Sequence, residues 1–150
     1  MIYIMIVSAI FLGDFLLKNW IEKNQKEGEI RKILGGCFLV RKHHNKGFLL
    51  NKCSDNQSLV AALSLGMAVF CTLLFVVSLG KKGNALLRTG LALLLGGAYN
   101  NTYDRLRRKY VVDYFSFGVP VGKIRNLIFN ISDLAIMIGA MISAIALNEK

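Results

Sequence analysis

The sequence contains few proline, cysteine and acidic residues. One Pro and three Cys in 150 residues exclude a collagen-like chain and a disulfide-dense scaffold. No phosphate-binding loop of the Walker type occurs, so the Gly-Gly pairs and Lys-rich stretches do not indicate nucleotide binding. Nine Asp and Glu oppose nineteen Lys and Arg, which gives a formal charge of +10. Beside long apolar runs, such a basic excess is more typical of contact with anionic lipid than with nucleic acid, so we expect no nucleic-acid partner.

Apolar residues are what the chain has in excess. They make up 54% of it, and the mean hydropathy is +0.46. A domain of this size has too little interior to hide so many apolar side chains, which argues against a soluble globular enzyme, and the same composition excludes disorder. We therefore predict a small integral membrane protein.

Four stretches are long and apolar enough to cross the hydrocarbon core, which takes about 20 residues of helix. The first follows Met1 with no basic region and no small-residue cleavage site, so we expect a retained anchor rather than a removable signal peptide. The third has Arg88 near its start, where a long side chain can reach the interface. The predicted spans cover residues about 2–17, 58–79, 85–103 and 127–147.

Two polar connections, at about 19–57 and 104–126, join these spans. Because four spans alternate in direction, both connections lie at one membrane surface. The first has short apolar stretches at 33–40 and 48–50, a pattern typical of short strands. We predict a single all-α membrane domain with four transmembrane helices and a small β-rich element between helices 1 and 2.

The cations predict an orientation. Lys81, Lys82, Arg88 and Lys150 lie on the surface that carries the termini, and the remaining Lys and Arg lie on the surface that carries the two connections. The positive-inside rule would therefore place the connections in the cytoplasm.

Charged residues within or beside spans need an explanation, because each costs about 2.5 to 3.5 kcal/mol at a helix centre on insertion scales. Asp14 and Lys18 are four residues apart, so they share a helix face and can neutralise each other. Asp104 is followed directly by Arg105. For these four residues, holding the helices together is as good an explanation as a chemical role.

Asp113 and Asp133 have no cation in their own helical turn, and the alternation of spans brings both to one depth. Two carboxylates forced together in a partly dry site cannot both ionise, so the pair divides into a base and an acid. Such a pair can activate water against a peptide carbonyl without a metal or other cofactor. His43 and His44 are not expected to bind a metal, because adjacent strand residues point to opposite faces.

These residues lie in segments that resemble the lipoprotein signal peptidases, the membrane aspartyl proteases also called signal peptidase II. GGAYNNTYDR at 96–105 and VVDY at 111–114 resemble the family's GGxxGNxxDR and VVDF block. FNISD at 129–133 resembles its FNxAD block. Two weaker matches are the Asp and Lys of 14–18 with the family's DQxxK, and NKG at 45–47 with the start of its NTGAAF. The resemblance extends along almost the whole chain.

The resemblance implies that Asp113 and Asp133 form a catalytic dyad, with further polar residues around it and no metal or cofactor. The residues implied to line or support the site are Asn45, Gly47, Asn101, Arg105 and Asn130, with Asp14, Lys18 and Asp104 mainly supporting.

The resemblance further implies an endopeptidase that removes the signal peptide of a prolipoprotein just before a cysteine that already carries diacylglycerol. The implied partners are such substrates, membrane lipid and cyclic-peptide antibiotics of the globomycin type. The implied location is the bacterial cytoplasmic membrane, with cytoplasmic termini and the active site and β-rich element at the extracytoplasmic face. This is opposite to the cation distribution, and we follow the resemblance because such a protease must meet a translocated cleavage site.

The sequence departs from the family pattern at several positions. Asn100 replaces a Gly, the bulky FLL at 48–50 replaces Ala-Ala-Phe, Tyr114 replaces Phe and Ser132 replaces Ala. None of these changes removes a catalytic group, and together they indicate a divergent member.

Two other function classes stay open at this point. A non-catalytic relative that binds lipidated peptides is favoured by the departures at Asn100 and Phe48 and opposed by the intact Asp pair. An ion-coupled transporter is opposed by the position of the polar residues, which stop near one membrane surface.

Overall fold

The computed structural model describes residues 1–47, 56–80 and 83–148. The departure at 48–50 and the cations Lys81, Lys82 and Lys150 lie outside the described residues. In chain order, the helices and strands are α1 (Ile2–Asn24), β1 (Arg31–Ile33), β2 (Phe38–Asn45), α2 (Gln57–Leu79), α3 (Ala85–Arg107), β3 (Val111–Phe117), α4 (Gly122–Arg125) and α5 (Ile131–Asn148).

Among the described helices, α1, α2 and α5 are long and apolar enough to cross a membrane. Leu16 on α1, Phe70 on α2 and Met141 on α5 are each more than half exposed. Many further apolar side chains on these helices are exposed in the same way, which is expected where the surroundings are lipid. The prediction of a membrane protein built from spanning helices is confirmed for these three.

Helix α3 lies at the centre and packs against α1, α2 and α5. It has 23 residues, as many as α1 and α2. Its last third is polar, and Asn100, Asn101 and Asp104 are buried there. These polar side chains therefore face the other helices and not the lipid.

Glycines bring α3 and α5 into backbone contact. A Cβ atom at Gly139 would lie 2.5 Å from the carbonyl oxygen of Gly90, and one at Gly90 would lie 2.8 Å from that of Gly139. Gly97 faces the Ser132 carbonyl oxygen in an equally tight contact. Small residues permit such approach in membrane bundles. This packing fixes the start of α5 beside the polar end of α3.

We expect Gly139→Ala to lower the unfolding temperature, because its methyl group has no room between two backbones and overpacking costs about 1–3 kcal/mol. Gly66→Ala is the matched control, since Gly66 is also helical but an added Cβ there meets nothing within 4 Å. Thermal unfolding in detergent, followed by circular dichroism, measures both variants. If the two unfold at the same temperature, the close packing of α3 on α5 is wrong.

The sheet is antiparallel, in the order β1-β2-β3. Strands β1 and β2 come from the first connection, as predicted, but β3 comes from the second. The prediction that confined the β-rich element to the segment between helices 1 and 2 was therefore incomplete. Strand β3 is buried at four consecutive residues, starting at Val111, and packs on α1 and α3. A strand buried on both faces shows no alternation of polarity that would identify it in a sequence.

Two helices do not begin or end where the predicted spans do. Helix α1 continues to Asn24, beyond the predicted span end at residue 17, and Lys18 in this extension is fully buried. Helix α5 begins at Ile131 and not near residue 127, because the preceding segment pairs with β3. The Phe129 N–H donates to the Phe115 carbonyl oxygen at 2.7 Å, and the Phe115 N–H donates back at 3.0 Å.

Candidate active site

Asn130 fixes the start of α5. Its side-chain Oδ1 accepts a hydrogen bond from the backbone N–H of Asp133 at 2.8 Å, and Asp133 Oδ2 accepts one from the backbone N–H of Asn130 at 3.1 Å. This reciprocal pair is a capping box. It holds the Asp133 carboxylate in the first helical turn, where the helix N-terminus favours a negative charge.

Asp113 lies on β3 and is 2% exposed. Asn130 Nδ2 donates to its Oδ1 at 2.7 Å, and Asn45 Nδ2, from the end of β2, donates to its Oδ2 at 3.1 Å. Asn130 therefore contacts both Asp113 and Asp133. The structure brings the two carboxylates together around a single amide side chain.

Helix α3 holds Asp133 from another side. Asn101 Nδ2 donates to Asp133 Oδ1 at 2.8 Å, while Asn101 Oδ1 accepts from Lys18 Nζ at 2.7 Å. The ammonium of Lys18 thus orients the Asn101 amide so that its N–H group points at Asp133.

Lys18 lies at the centre of a buried charge network. Its Nζ is 3.0 Å from Asp14 Oδ2 and 3.1 Å from Asp104 Oδ2, and it donates to Asn100 Oδ1 at 2.6 Å. Asp14 and Lys18 are 0% exposed and Asp104 is 1% exposed. Arg108 Nε lies 3.1 Å from Asp104 Oδ1 and supplies a second cation.

Arg105 and Gly47 close the network on the β2 side. Arg105 Nη2 donates to the Gly47 carbonyl oxygen at 3.3 Å, and the Gly47 N–H donates to Asn45 Oδ1 at 3.1 Å. That second bond turns the amide nitrogen of Asn45 toward Asp113. Every residue that the sequence assigned to the site is therefore found in one connected cluster.

Burial and the negative charge of Asp133 raise the pKa of Asp113 to about 8. Asp113 therefore keeps its proton to a higher pH than a free aspartate does. Asp133 lies at the helix N-terminus and accepts hydrogen bonds from Asn101 and Asn130, so its surroundings differ from those of Asp113. The two carboxyl groups are thus placed to act as an acid and a base.

The pair opens into a cavity of about 850 Å³. Polar side chains lie at the end near the carboxylates, and apolar ones lie one to two helical turns deeper, between α2, α3 and α5. The polar set is His43, Asn45, Asn101 and Arg105, and the apolar set includes Met67, Cys71, Leu94, Ile136 and Met137. Such a lining fits a ligand with a polar group beside the carboxylates and an apolar part between the helices.

The two histidines lie on different sides of β2. His43 lines the cavity, whereas His44 Nε2 is 2.6 Å from Glu22 Oε1 and its ring stacks on Tyr110 with centroids 4.0 Å apart. Within 1–47, 56–80 and 83–148, no group of three His, Cys, Asp or Glu side chains is arranged to hold a metal ion.

Two residues bonded to the network had no role in the sequence analysis. The hydroxyl groups of Tyr114 and Ser132 both contact Asp14. Each of these residues adjoins one of the paired aspartates in the chain. The only sequence signal was their departure from the family pattern, which does not show what a hydroxyl group contacts.

Comparison with known proteins gives consistent matches over nearly the full length. The model of a family described as signal peptidase (SPase) II matches residues 6–148. The lipoprotein signal peptidase of Lactobacillus johnsonii is 34% identical over 141 residues, covering 94% of this chain and 88% of that protein. That of Latilactobacillus sakei subsp. sakei is 32% identical over 155 residues, covering 100% and 97%.

Solved structures share the fold. A bacterial membrane enzyme determined by the in meso method at 2.3 Å resolution superposes with a TM-score of 0.83. The sequences are 23% identical, and the match covers 98% of this chain and 87% of that one. A second such enzyme, determined at 1.9 Å, gives a TM-score of 0.80 at 23% identity, covering 97% of this chain and 91% of that one.

Proposed function

Because the chain belongs to the signal peptidase II family, we propose that it is an aspartyl endopeptidase that removes signal peptides from prolipoproteins. The scissile bond lies just before a cysteine that carries diacylglycerol. One observation carries the proposal: Asp113 and Asp133 share the amide of Asn130 at the polar end of a cavity whose other end is apolar. We refer to the two aspartates as the dyad.

The dyad performs the hydrolysis as a proton-sharing pair. Ionised Asp133 takes a proton from water as the water oxygen attacks the scissile carbonyl carbon, and Asp113 gives its proton to the carbonyl oxygen. The tetrahedral intermediate then loses its C–N bond. Asp133 protonates the departing amine, and one hydroxyl group of the intermediate returns a proton to Asp113, which restores the resting pair.

Three asparagines hold the dyad for this reaction. Asn130 contacts both carboxyl groups, Asn45 contacts Asp113 and Asn101 contacts Asp133. Their amides fix carboxyl orientation without adding a charge that would trap the dyad in one protonation state. Fixed orientation contributes to rate because a displacement of about 1 Å can cost about a hundredfold.

We propose that α3 is a fourth span. Its 23 residues are about 35 Å long, enough for the hydrocarbon core. The polar residues Asn100, Asn101, Thr102 and Asp104 are buried within α3's contacts with the three apolar spans, so these side chains do not have to face lipid.

We also propose that the termini lie in the cytoplasm and that the dyad faces the outer side of the bacterial cytoplasmic membrane. This orientation is opposite to the one that the positive-inside count of Lys and Arg indicates. It follows from the proposed reaction, because a signal-peptide protease must meet a cleavage site that has already crossed the membrane.

The apolar end of the cavity is consistent with a substrate that carries lipid. Its apolar lining between α2, α3 and α5 would hold the apolar segment of the signal peptide or the acyl chains. A cyclic peptide of the globomycin type would occupy the same cavity with a polar group on the dyad.

We expect the rate of cleavage to fall as the pH rises through about 8, because Asp113 then loses the proton that it must donate. The rate should also fall in acid, once Asp133 gains a proton and no base is left. The measurement is kcat/KM against pH, which reports the groups of the free enzyme, with the enzyme in detergent of constant composition. A kcat/KM that stays constant from about pH 7 to about pH 10 would contradict the acid role of Asp113.

A gel-shift assay tests the proposed function. The purified chain is incubated with a diacylglyceryl-modified prolipoprotein, and the same prolipoprotein without the lipid serves as the control substrate. The proposal predicts a shift to the size of the mature lipoprotein for the lipidated substrate alone. Binding of the lipidated substrate without any cleavage would overturn it in favour of a non-catalytic relative.

A further inference from the structure

The carboxylate of Asp14 receives hydroxyl groups from both segments that carry the dyad. Tyr114 Oη donates to Asp14 Oδ1 at 2.6 Å, and Ser132 Oγ donates to Asp14 Oδ2 at 2.5 Å. All three side chains are buried. Tyr114 directly follows Asp113, and Ser132 directly precedes Asp133.

Backbone groups strengthen the same connection. The N–H of Ser132 also donates to Asp14 Oδ2, at 3.3 Å, and the N–H of Ile131 donates to Tyr114 Oη at 3.0 Å. Strand β3 and the first turn of α5 are therefore tied to each other and to α1 through one carboxylate. Hydrogen bonds to an ionised acceptor are shorter and stronger than neutral ones, so this connection is well suited to fix distances.

Both hydroxyl groups lie at positions where the sequence departs from the motif pattern that it resembles. The family pattern that the sequence resembles has Phe where this chain has Tyr114 and Ala where it has Ser132, and neither Phe nor Ala carries a hydroxyl group. Two departures 18 residues apart in sequence thus meet on one buried carboxylate. They form one structural feature and not two unrelated changes.

We propose that Tyr114, Asp14 and Ser132 form a positioning bridge that sets the separation and orientation of Asp113 and Asp133. The bridge rests on the proposed function, because it serves the cleavage reaction of the dyad. Tyr114 and Ser132 act as positioning residues, since neither lines the cavity. Each is one residue from a dyad carboxyl group, so a shift of β3 against α5 moves the two aspartates relative to each other.

Charged groups from α1 and α3 and the titratable His43 of β2 face the dyad. Asp14 and Lys18 come from α1, Asp104 and Arg105 from α3, and His43 from β2. None of these residues changes in the variants below. A change in the titration midpoint of the dyad therefore indicates that the relative position of Asp113 and Asp133 has changed.

The first arm of the test is kinetic. Tyr114→Phe, Ser132→Ala and the double variant are compared with the wild type on the lipidated prolipoprotein. We expect each single variant to lower kcat about tenfold with KM within about twofold, because misplacement affects the reaction more than binding. The loss in the double variant should be smaller than the product of the two single losses, because either change already breaks the bridge.

Matched controls remove the same atoms elsewhere. Tyr99→Phe removes a hydroxyl group bonded to Thr72 at 2.6 Å, and Ser143→Ala removes one that donates to the Gly139 carbonyl oxygen at 2.8 Å. Both controls should keep the wild-type kcat even where their unfolding temperature falls as far as that of the bridge variants. Thermal unfolding of all variants shows that each is folded.

The second arm needs no substrate. Infrared spectroscopy follows the carboxyl band that Asp113→Asn removes, as a function of pH. Burial and the charge of Asp133 raise the pKa of Asp113, so we expect the titration midpoint to fall in the bridge variants as the two groups separate, and to stay unchanged in the controls.

The two arms separate the bridge from the proposed function. Suppose that the wild type cleaves the substrate but both bridge variants keep the wild-type kcat and titration midpoint. The proposed positioning role of the bridge is then wrong, and the proposed function is still supported. If the wild type does not cleave and the midpoint still falls in the bridge variants alone, the function is wrong and the bridge stands.

Discussion

Asp113→Asn and Asp133→Asn are each expected to lower cleavage of the lipidated prolipoprotein by about a thousandfold or more. Asparagine has nearly the same size as aspartate but can neither accept the proton of water nor donate one to the carbonyl oxygen. Substrate binding should be retained, since the shape of the two side chains and the apolar lining of the cavity are unchanged. The measurements are kcat from the gel-shift assay and co-purification of the lipidated substrate.

Glu22→Gln is the matched control for these variants. It makes the same change of carboxylate to amide at a residue that pairs with Lys42 and His44, outside the cavity. We expect its kcat to stay within about twofold of the wild type. If either dyad variant cleaves as fast as Glu22→Gln, the aspartyl mechanism is wrong.

Lys18→Met should destabilise the protein severely. It removes the ammonium that lies between Asp14 and Asp104 and leaves two buried carboxylates with one fewer cation. Removing one partner of a buried ion pair costs about 3–5 kcal/mol. Met preserves much of the apolar stem of Lys. The decrease in the free energy of unfolding is therefore caused by the lost charge and not by lost packing. Denaturant unfolding in detergent gives the free energy of unfolding.

The control for Lys18→Met is a surface ion pair. Arg31→Met breaks the contact of Arg31 with Glu29, in which both side chains are at least one-third exposed. Exposed pairs contribute about 0–1 kcal/mol, so this variant should unfold almost as the wild type does. Equal free energies of unfolding for the two variants would show that Lys18 does not hold the network together.

Local spacing was sufficient to predict part of the network. Asp14 and Lys18 are four residues apart on α1, and that spacing alone indicates their ion pair. The segment that begins at Asn130 forms a capping box, a local signal that the sequence analysis did not use and that places Asp133 in the first turn of a helix. Both features depend on residues close together in the chain.

Features that depend on distant segments were missed. Strand β3 carries Asp113 into the sheet, but its continuous burial hides the alternation that indicates a strand. Tyr114 and Ser132 lie 100 and 118 residues from Asp14. Nothing in the local pattern of either residue shows that its hydroxyl group reaches that carboxylate, so only the packed structure could reveal the bridge.

The departure at Asn100 also has a structural explanation. Its Oδ1 accepts from Lys18 Nζ, and its Nδ2 donates to the Phe11 carbonyl oxygen at 2.7 Å. The side chain that replaces glycine is therefore part of the charge network and ties α3 to α1. A departure that supports the network around Lys18 gives no reason to expect a loss of catalysis.

The most direct test of the account is a mass determination of both products after the purified chain acts on a diacylglyceryl-modified prolipoprotein. The account predicts a single cut, which releases the intact signal peptide and leaves the lipidated cysteine at the new N-terminus. It predicts no products from the Asp113→Asn, Asp133→Asn double variant. An uncut substrate with the folded wild type, or a cut at any other bond, would contradict it.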